Sequence, residues 1–163
     1  MSVYGQKLLF EEGVSAVTAT PTCDVGTYRW EGGREYVYAY NGGSAAAIGA
    51  PVILTGTTGH TFVVTFATGA DKGCTLLGVV RNVAIPAASY GWVCTRGFVD
   101  VKAPTSAAVV AADLLIVGDG GGTTRVATYT SSLTQLVAQG SVGRALSTQT
   151  AAADGYVTVF LKR

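Results

Sequence analysis

Arg34-Glu35-Tyr36-Val37-Tyr38-Ala39-Tyr40 repeats with a period of two and runs directly into Asn41-Gly42. Successive side chains of a strand point to opposite faces, so this spacing puts Tyr36, Tyr38 and Tyr40 on one face. Asn-Gly is a strong turn signal after such a run. The stretch therefore predicts a strand closed by a turn, and it sets the period for the rest of the chain.

Working outward, the same kind of segment recurs. Val52-Ile53-Leu54 is a short apolar run between Pro51 and Gly56. Residues 61–66, 76–80, 92–95 and 98–102 are rich in β-branched and aromatic side chains. Residues 114–117 end at the glycine run 118–122, and residues 125–129, 139–146 and 156–161 complete the set. Short strands at this spacing, separated by glycine-rich turns, predict an all-β fold, a single compact antiparallel β-barrel or sandwich. Residues 105–113 are alanine-rich, but Val109-Val110 weakens a helix there, and they read as a turn feeding the strand at Leu114. Residues 1–26 lack a clear period and are expected to form an N-terminal arm or extended segment. Its opening residues, 1–10, read as a frayed terminus first and as an extended arm docking on a neighbour second, and the β domain is placed at 27–163.

A weak internal repeat is visible. Gly78-Val79-Val80 and Val142-Gly143-Arg144 each open a segment that passes through an alanine-rich connection. Each connection leads into Gly-aromatic-Val, at Gly91-Trp92-Val93 and Gly155-Tyr156-Val157. This spacing predicts two related hairpins.

Composition narrows the function. The 163 residues carry 11 Lys+Arg and 10 Asp+Glu, a net charge of +1, and only 13% are charged, against about 25% in ordinary soluble domains. Such a chain lacks the high charge and low hydrophobicity of disorder. It also lacks the basic excess of a nucleic-acid binder, so no nucleic-acid partner is expected. Mean hydropathy is +0.38, yet Asp113 breaks the longest apolar stretch, 107–117. A spanning helix needs about 20 apolar residues, so no membrane partner is expected. The start, Met1-Ser2-Val3-Tyr4-Gly5-Gln6-Lys7, has no basic region followed by an apolar core, so a secretory signal is not expected. The three cysteines, Cys23, Cys74 and Cys94, are then expected to be reduced thiols made in a cytoplasm.

No pattern points to a reaction centre, and neither catalytic residues nor a cofactor nor a metal is expected. The run Gly118-Asp119-Gly120-Gly121-Gly122-Thr123-Thr124 misses both phosphate-loop patterns, lacking glycine at 123 and any lysine, and reads as a hairpin turn. His60 is the single histidine, with no Cys or carboxylate at ligand spacing and no G-x-S-x-G in the chain. A small hydrolase built on His60 is the least supported reading. Cys94 sits in a strand pattern, where a small buried thiol is the ordinary occupant. Glu31 and Glu35 flank Gly32-Gly33 beside Arg29 and Arg34, a pattern of surface charge pairs at a turn. Trp30 with Tyr36, Tyr38 and Tyr40 has the make-up of a sugar-stacking platform, or of the packed aromatic face of a sheet.

The most distinctive block is Ala87-Ala88-Ser89-Tyr90-Gly91-Trp92-Val93-Cys94-Thr95-Arg96-Gly97. It resembles a pattern in small structural proteins of tailed bacteriophages, the capsid decoration or cement family. Residues 109–114 resemble that family's Val-Ala-Ala-Gly-Asp-Leu, and residues 142–146 its Ile-Gly-Val-Ala-Leu. Residues 155–161 are similar to its final strand, and residues 34–38, Asn41-Gly42 and residues 49–52 are similar in style. The likeness spans roughly two-thirds of the chain. It departs at Cys94, where glutamine is expected, and at Ala112, where glycine is expected.

The resemblance implies a structural virion protein, not an enzyme, made in the host bacterial cytoplasm. It would bind the outer surface of an expanded icosahedral head and stabilise contacts between major capsid protein subunits. It further implies self-association, a homotrimer first and a dimer second. Candidate contacts with the shell or with other subunits are Val3, Tyr4, Leu8, Phe10, Trp30, Tyr36, Tyr38, Tyr40, Tyr90 and Trp92. The alternative is a receptor- or glycan-binding knob of a phage fibre or tail, carried by the same aromatics.

Overall fold

The computed structural model describes residues 13–54, 61–64, 76–103, 108–117, 126–128, 141–150 and 155–161, and no helix occurs among them. The strands are β1 (Val17–Thr18), β2 (Tyr28–Glu31), β3 (Arg34–Asn41), β4 (Pro51–Leu54), β5 (Thr61–Val64) and β6 (Leu76–Val80). They continue with β7 (Ser89–Lys102), β8 (Leu114–Val117), β9 (Val126–Thr128), β10 (Ser141–Arg144) and β11 (Tyr156–Leu161). The fold is all-β and its pairings are antiparallel, except for a two-residue parallel contact of β3 with β5.

Eight strands share one sheet, and β8, β9 and β10 form a second. The first sheet runs β7–β6–β4–β5–β3, and β3 pairs with β7 in turn, so the sheet curls back on itself. The β3–β5 seam is only Tyr40↔Thr61 and Asn41↔Phe62, and the result is not a closed barrel. Asn41 is buried where β3 ends. Its Oδ1 accepts from Gly43 N at 3.0 Å, an Asx turn, and its Nδ2 donates towards the carbonyls of Ser44, Ile85 and Pro86. The Asn41-Gly42 turn is thus also a tie to the approach of β7.

One element differs from the sequence expectation in a way that governs the molecule. Residues 92–95 and 98–102 are one strand, the 14-residue β7. Arg96-Gly97 reads as a break, yet Gly97 stays in the ladder opposite Leu161. A side chain at Gly97 would put Cβ 2.9 Å from Arg34 Cγ, so this glycine serves close approach and not chain reversal. β7 pairs with β3 over its first half and with β11 over its second.

Between the pairs Glu35↔Arg96 and Tyr36↔Cys94, Thr95 has no partner: it is a β-bulge. The extra residue shifts the alternation. Trp92 and Cys94 before it, and Val99 and Val101 after it, therefore lie in the same core cluster. That cluster also holds Tyr36, Tyr38, Leu115, Val142, Val157 and Val159. The opposite face of the first half, with Val37, Ala39 and Val93, packs against Val52, Leu77 and Val80 of β4 and β6.

The repeat seen at Gly78 and Gly143 extends further upstream. Ala46 and Ile85 exchange two backbone hydrogen bonds, and so do Val109 and Gln149. Gly49 N donates to Val80 O and Val80 N to Ala50 O, while Ala112 N donates to Ala145 O and Ala145 N to Asp113 O. The pairing of β4 with β6 shifts register next to Gly78, and that of β8 with β10 shifts next to Gly143. A Cβ at these glycines would lie 2.2 Å from Cys94 O and 3.0 Å from Phe160 O. Gly49 and Ala112 both have positive φ, 80° and 78°. The chain therefore contains one unit twice. β3 to the first half of β7 forms the first copy, and the second half of β7 to β11 forms the other. The two copies share β7.

Candidate interaction surfaces

The structure brings together five of the aromatics singled out by sequence. Tyr38 stands opposite Trp92 and Tyr40 opposite Tyr90, with Tyr36 next along β3. Tyr38 and Trp92 rings are 5.1 Å apart and tilted, Tyr40 and Tyr90 4.9 Å, and Tyr38 and Tyr90 stack at 6.0 Å. Cross-strand aromatic pairs of this kind add to sheet stability beyond their buried area.

Three of these five rings lie in the interior, where they present little surface to a shell or to another subunit. Tyr36, Tyr38 and Trp92 are at most 4% exposed, and Tyr40 and Tyr90 are half-buried. The chain's own residues 14–26 help to cover them, and Arg29 lies over Trp92, 5.9 Å from its ring. Val14 joins the core cluster, and Cys23 and Val25 pack against it. β1 pairs with β7 through Val17↔Gly91 and Thr18↔Tyr90. The Tyr38 hydroxyl is hydrogen-bonded to Thr18 Oγ1 and accepts from Thr22 N and Thr22 Oγ1, each at 3.2 Å. A buried hydroxyl needs such partners, since burying it unpaired costs roughly 1–3 kcal/mol. The segment assigned to an arm, 1–26, is therefore part of the β domain from Val14 onward. Val3, Tyr4, Leu8 and Phe10 lie outside the described residues, as do His60, Cys74 and the glycine run at 118–122.

Among the described residues, Trp30 is the one named aromatic that faces water, 59% exposed, with the Arg96 guanidinium 5.8 Å from its ring. It sits on β2, a strand the sequence reading did not separate. β2 forms a hairpin with β3 through Gly32-Gly33, both at positive φ. Arg29 and Glu31 form an ion pair there, and Arg34 Nε donates to Phe98 O at 2.6 Å.

The surface missed by sequence reading is the outer face of β7 and β11. Phe98, Tyr156 and Phe160 are 54%, 49% and 41% exposed. Phe98 is paired with Phe160, their rings 4.9 Å apart edge to face. Asp100 lies between, accepting from Thr158 Oγ1 at 2.7 Å. The signal was present: Arg96, Phe98, Asp100 and Lys102 alternate with Gly97, Val99 and Val101. At the edge of this face, Ser15, Ile48, Arg81, Asn82, Asp100 and Tyr156 line an open groove of about 470 Å³. Arg81 is turned aside, donating to Asn82 Oδ1 at 2.6 Å and towards the Tyr36 hydroxyl at 3.5 Å.

Two further exposed aliphatics mark equivalent corners of the repeat. Ile48 precedes Gly49, and Val110 lies two residues before Ala112. Cys94, in the covered half of β7, is fully buried, and burial pushes its thiol up to about 11. Among the described residues no cluster of His, Cys, Asp and Glu has the arrangement of a metal site. The chain matches no known family and no curated protein at a significant level.

Proposed function

We propose that the protein is a capsid decoration (cement) protein, a structural virion component. It binds the outside of an expanded phage head and bridges neighbouring major capsid protein subunits. The observation that carries this reading is the duplication. One chain presents the same β unit twice, each with an exposed aliphatic in the matching turn, Ile48 in the first and Val110, one position earlier, in the second. Two attachment points on one rigid body are what a clamp between adjacent subunits requires, because the second contact forms at high effective concentration once the first is made. The sequence blocks that resemble the decoration family support it too. The Tyr90-Gly91-Trp92-Val93 block is the strand the two units share, and residues 109–114 and 142–146 hold the second unit's backbone ties.

The test is incubation with expanded heads that lack a decoration protein, followed by sedimentation and calorimetry of the shells. Cosedimentation and a higher shell melting temperature are expected, with binding weakened at least about tenfold by Ile48→Asp with Val110→Asp. Wild-type protein that neither binds nor stabilises the shell overturns the reading. A receptor- or glycan-binding knob is the second reading. Trp30 and Tyr28, both exposed on β2, favour it, and hits on a glycan array that disappear with Trp30→Ala would support it.

A further inference from the structure

We infer that the outer face of β7 and β11 is a self-association surface, taking a second copy of this chain across a two-fold axis near Phe98. The first observation comes from the repeat. Gly91-Trp92-Val93 and Gly155-Tyr156-Val157 hold equivalent places in the two units. Trp92 is 4% exposed beneath residues 14–26 and Arg29, whereas Tyr156 is 49% exposed, on the same face as the Phe98–Phe160 pair and two pairs along that face from it. The chain covers this face in one unit, whereas in the other the described residues approach it only at Tyr156, where Gly49 lies against the ring, and leave the Phe98–Phe160 pair open. Large apolar side chains clustered in water on a folded chain mark a contact site. Aromatic side chains ringed by polar groups have the composition of an interface centre.

The second observation identifies the occupant. Along β7 the outward side chains are Arg96, Phe98 and Asp100, spaced two residues apart, so they share a face. A two-fold axis at Phe98 sets that ring against its own copy. Run across the strands, that axis also brings Arg96 of each chain over Asp100 of the other. The row is self-complementary, as an isologous interface requires. At a net charge of +1, two copies meet with little overall repulsion. Phe160 extends the apolar centre, and Trp30 beneath Arg96 extends its rim.

This inference is independent of binding to a shell. Its test is sedimentation velocity of the full chain across a hundredfold concentration range, alone and as variants. Wild-type protein is expected to dimerise reversibly. F98S/F160S is expected to weaken the dimer about a hundredfold or more while the monomer stays folded, its melting lowered only by the loss of this one ring pair. D100R is expected to weaken it, and R96D/D100R to restore it, since the double exchange re-forms both cross-axis pairs. Wild-type protein that stays monomeric overturns the inference. So does a dimer that survives F98S/F160S, and failure of R96D to rescue D100R overturns the two-fold arrangement.

Discussion

The two halves of β7 are one strand joined across a bulge, and they live in different environments. From Gly91 to Thr95 every residue is buried, because residues 14–26, Arg29 and the core shared with the second unit cover one face and β4 and β6 the other. From Arg96 to Lys102 buried and outward residues alternate, because the second unit covers a single face. The contrast shows that a period of two reports which side chains share a face. It does not report how many faces are covered. Tyr36, Tyr38 and Tyr40 share a face as their spacing demands, and that face is inside.

The sharpest way to break this comparison is to truncate one large side chain in each half. Trp92→Ala is expected to cost about 4 kcal/mol of unfolding free energy, since the cavity it leaves is closed in by Tyr38 and the chain around it. Phe98→Ala, measured where the chain is monomeric, is expected to cost only about 1 kcal/mol, the loss of its ring pair with Phe160. Urea unfolding of both variants checks this, and equal costs would mean the second half is not open.

A smaller effect comes from Cys94 in the covered half. Its thiol holds its proton to about 11 in the folded chain, against an ordinary value of 9.0. Between those values the unfolded chain gives up the proton first, so stability falls as pH rises. The loss approaches about 2 kcal/mol by the upper value and is absent below about pH 8. Unfolding curves at stepped pH should show this decline in wild type and a shallower one in Cys94→Ala. The same slope in both would place the thiol in water.

The smallest effect compares the two units at one equivalent position. Gly49 and Ala112 share a left-handed backbone, which an alanine adopts at a cost of roughly 1 kcal/mol. Ala112→Gly is therefore expected to raise stability by about 1 kcal/mol, read as a higher melting temperature. A loss would remove the equivalence drawn between these corners.

Much of this architecture was legible in the residues. The edges of β6, β8 and β11 match the runs 76–80, 114–117 and 156–161, because turn residues bracket each run. The hairpin repeat was legible because its glycines are fixed by backbone contact: Gly78 and Gly143 sit where a carbonyl of the neighbouring strand approaches. Even the departure at Ala112 pointed to something physical, a position whose backbone favours glycine. What stayed hidden was tertiary. Residues 14–26 have no period because they hold the sheet through scattered threonine hydroxyls and single apolar side chains. β7 read as two strands because Arg96-Gly97 looks like punctuation, while its glycine makes room for Arg34. The exposed strip was overlooked because Phe98 and Phe160 are 62 residues apart in the chain, and only the β7–β11 register joins them.

Thr95 carries a consequence that is about counting more than energy. Every residue from Arg96 onward in β7 takes its side from that one unpaired position. Deleting it would turn Val99 and Val101 towards water and Phe98 and Asp100 towards the core, inverting half of the molecule while leaving its composition almost untouched. Substitutions along this strand can be graded and repaired singly. A change in its length cannot, so among descendants of this chain the distance from Tyr90 to Lys102 should be more strictly inherited than most of the side chains between them.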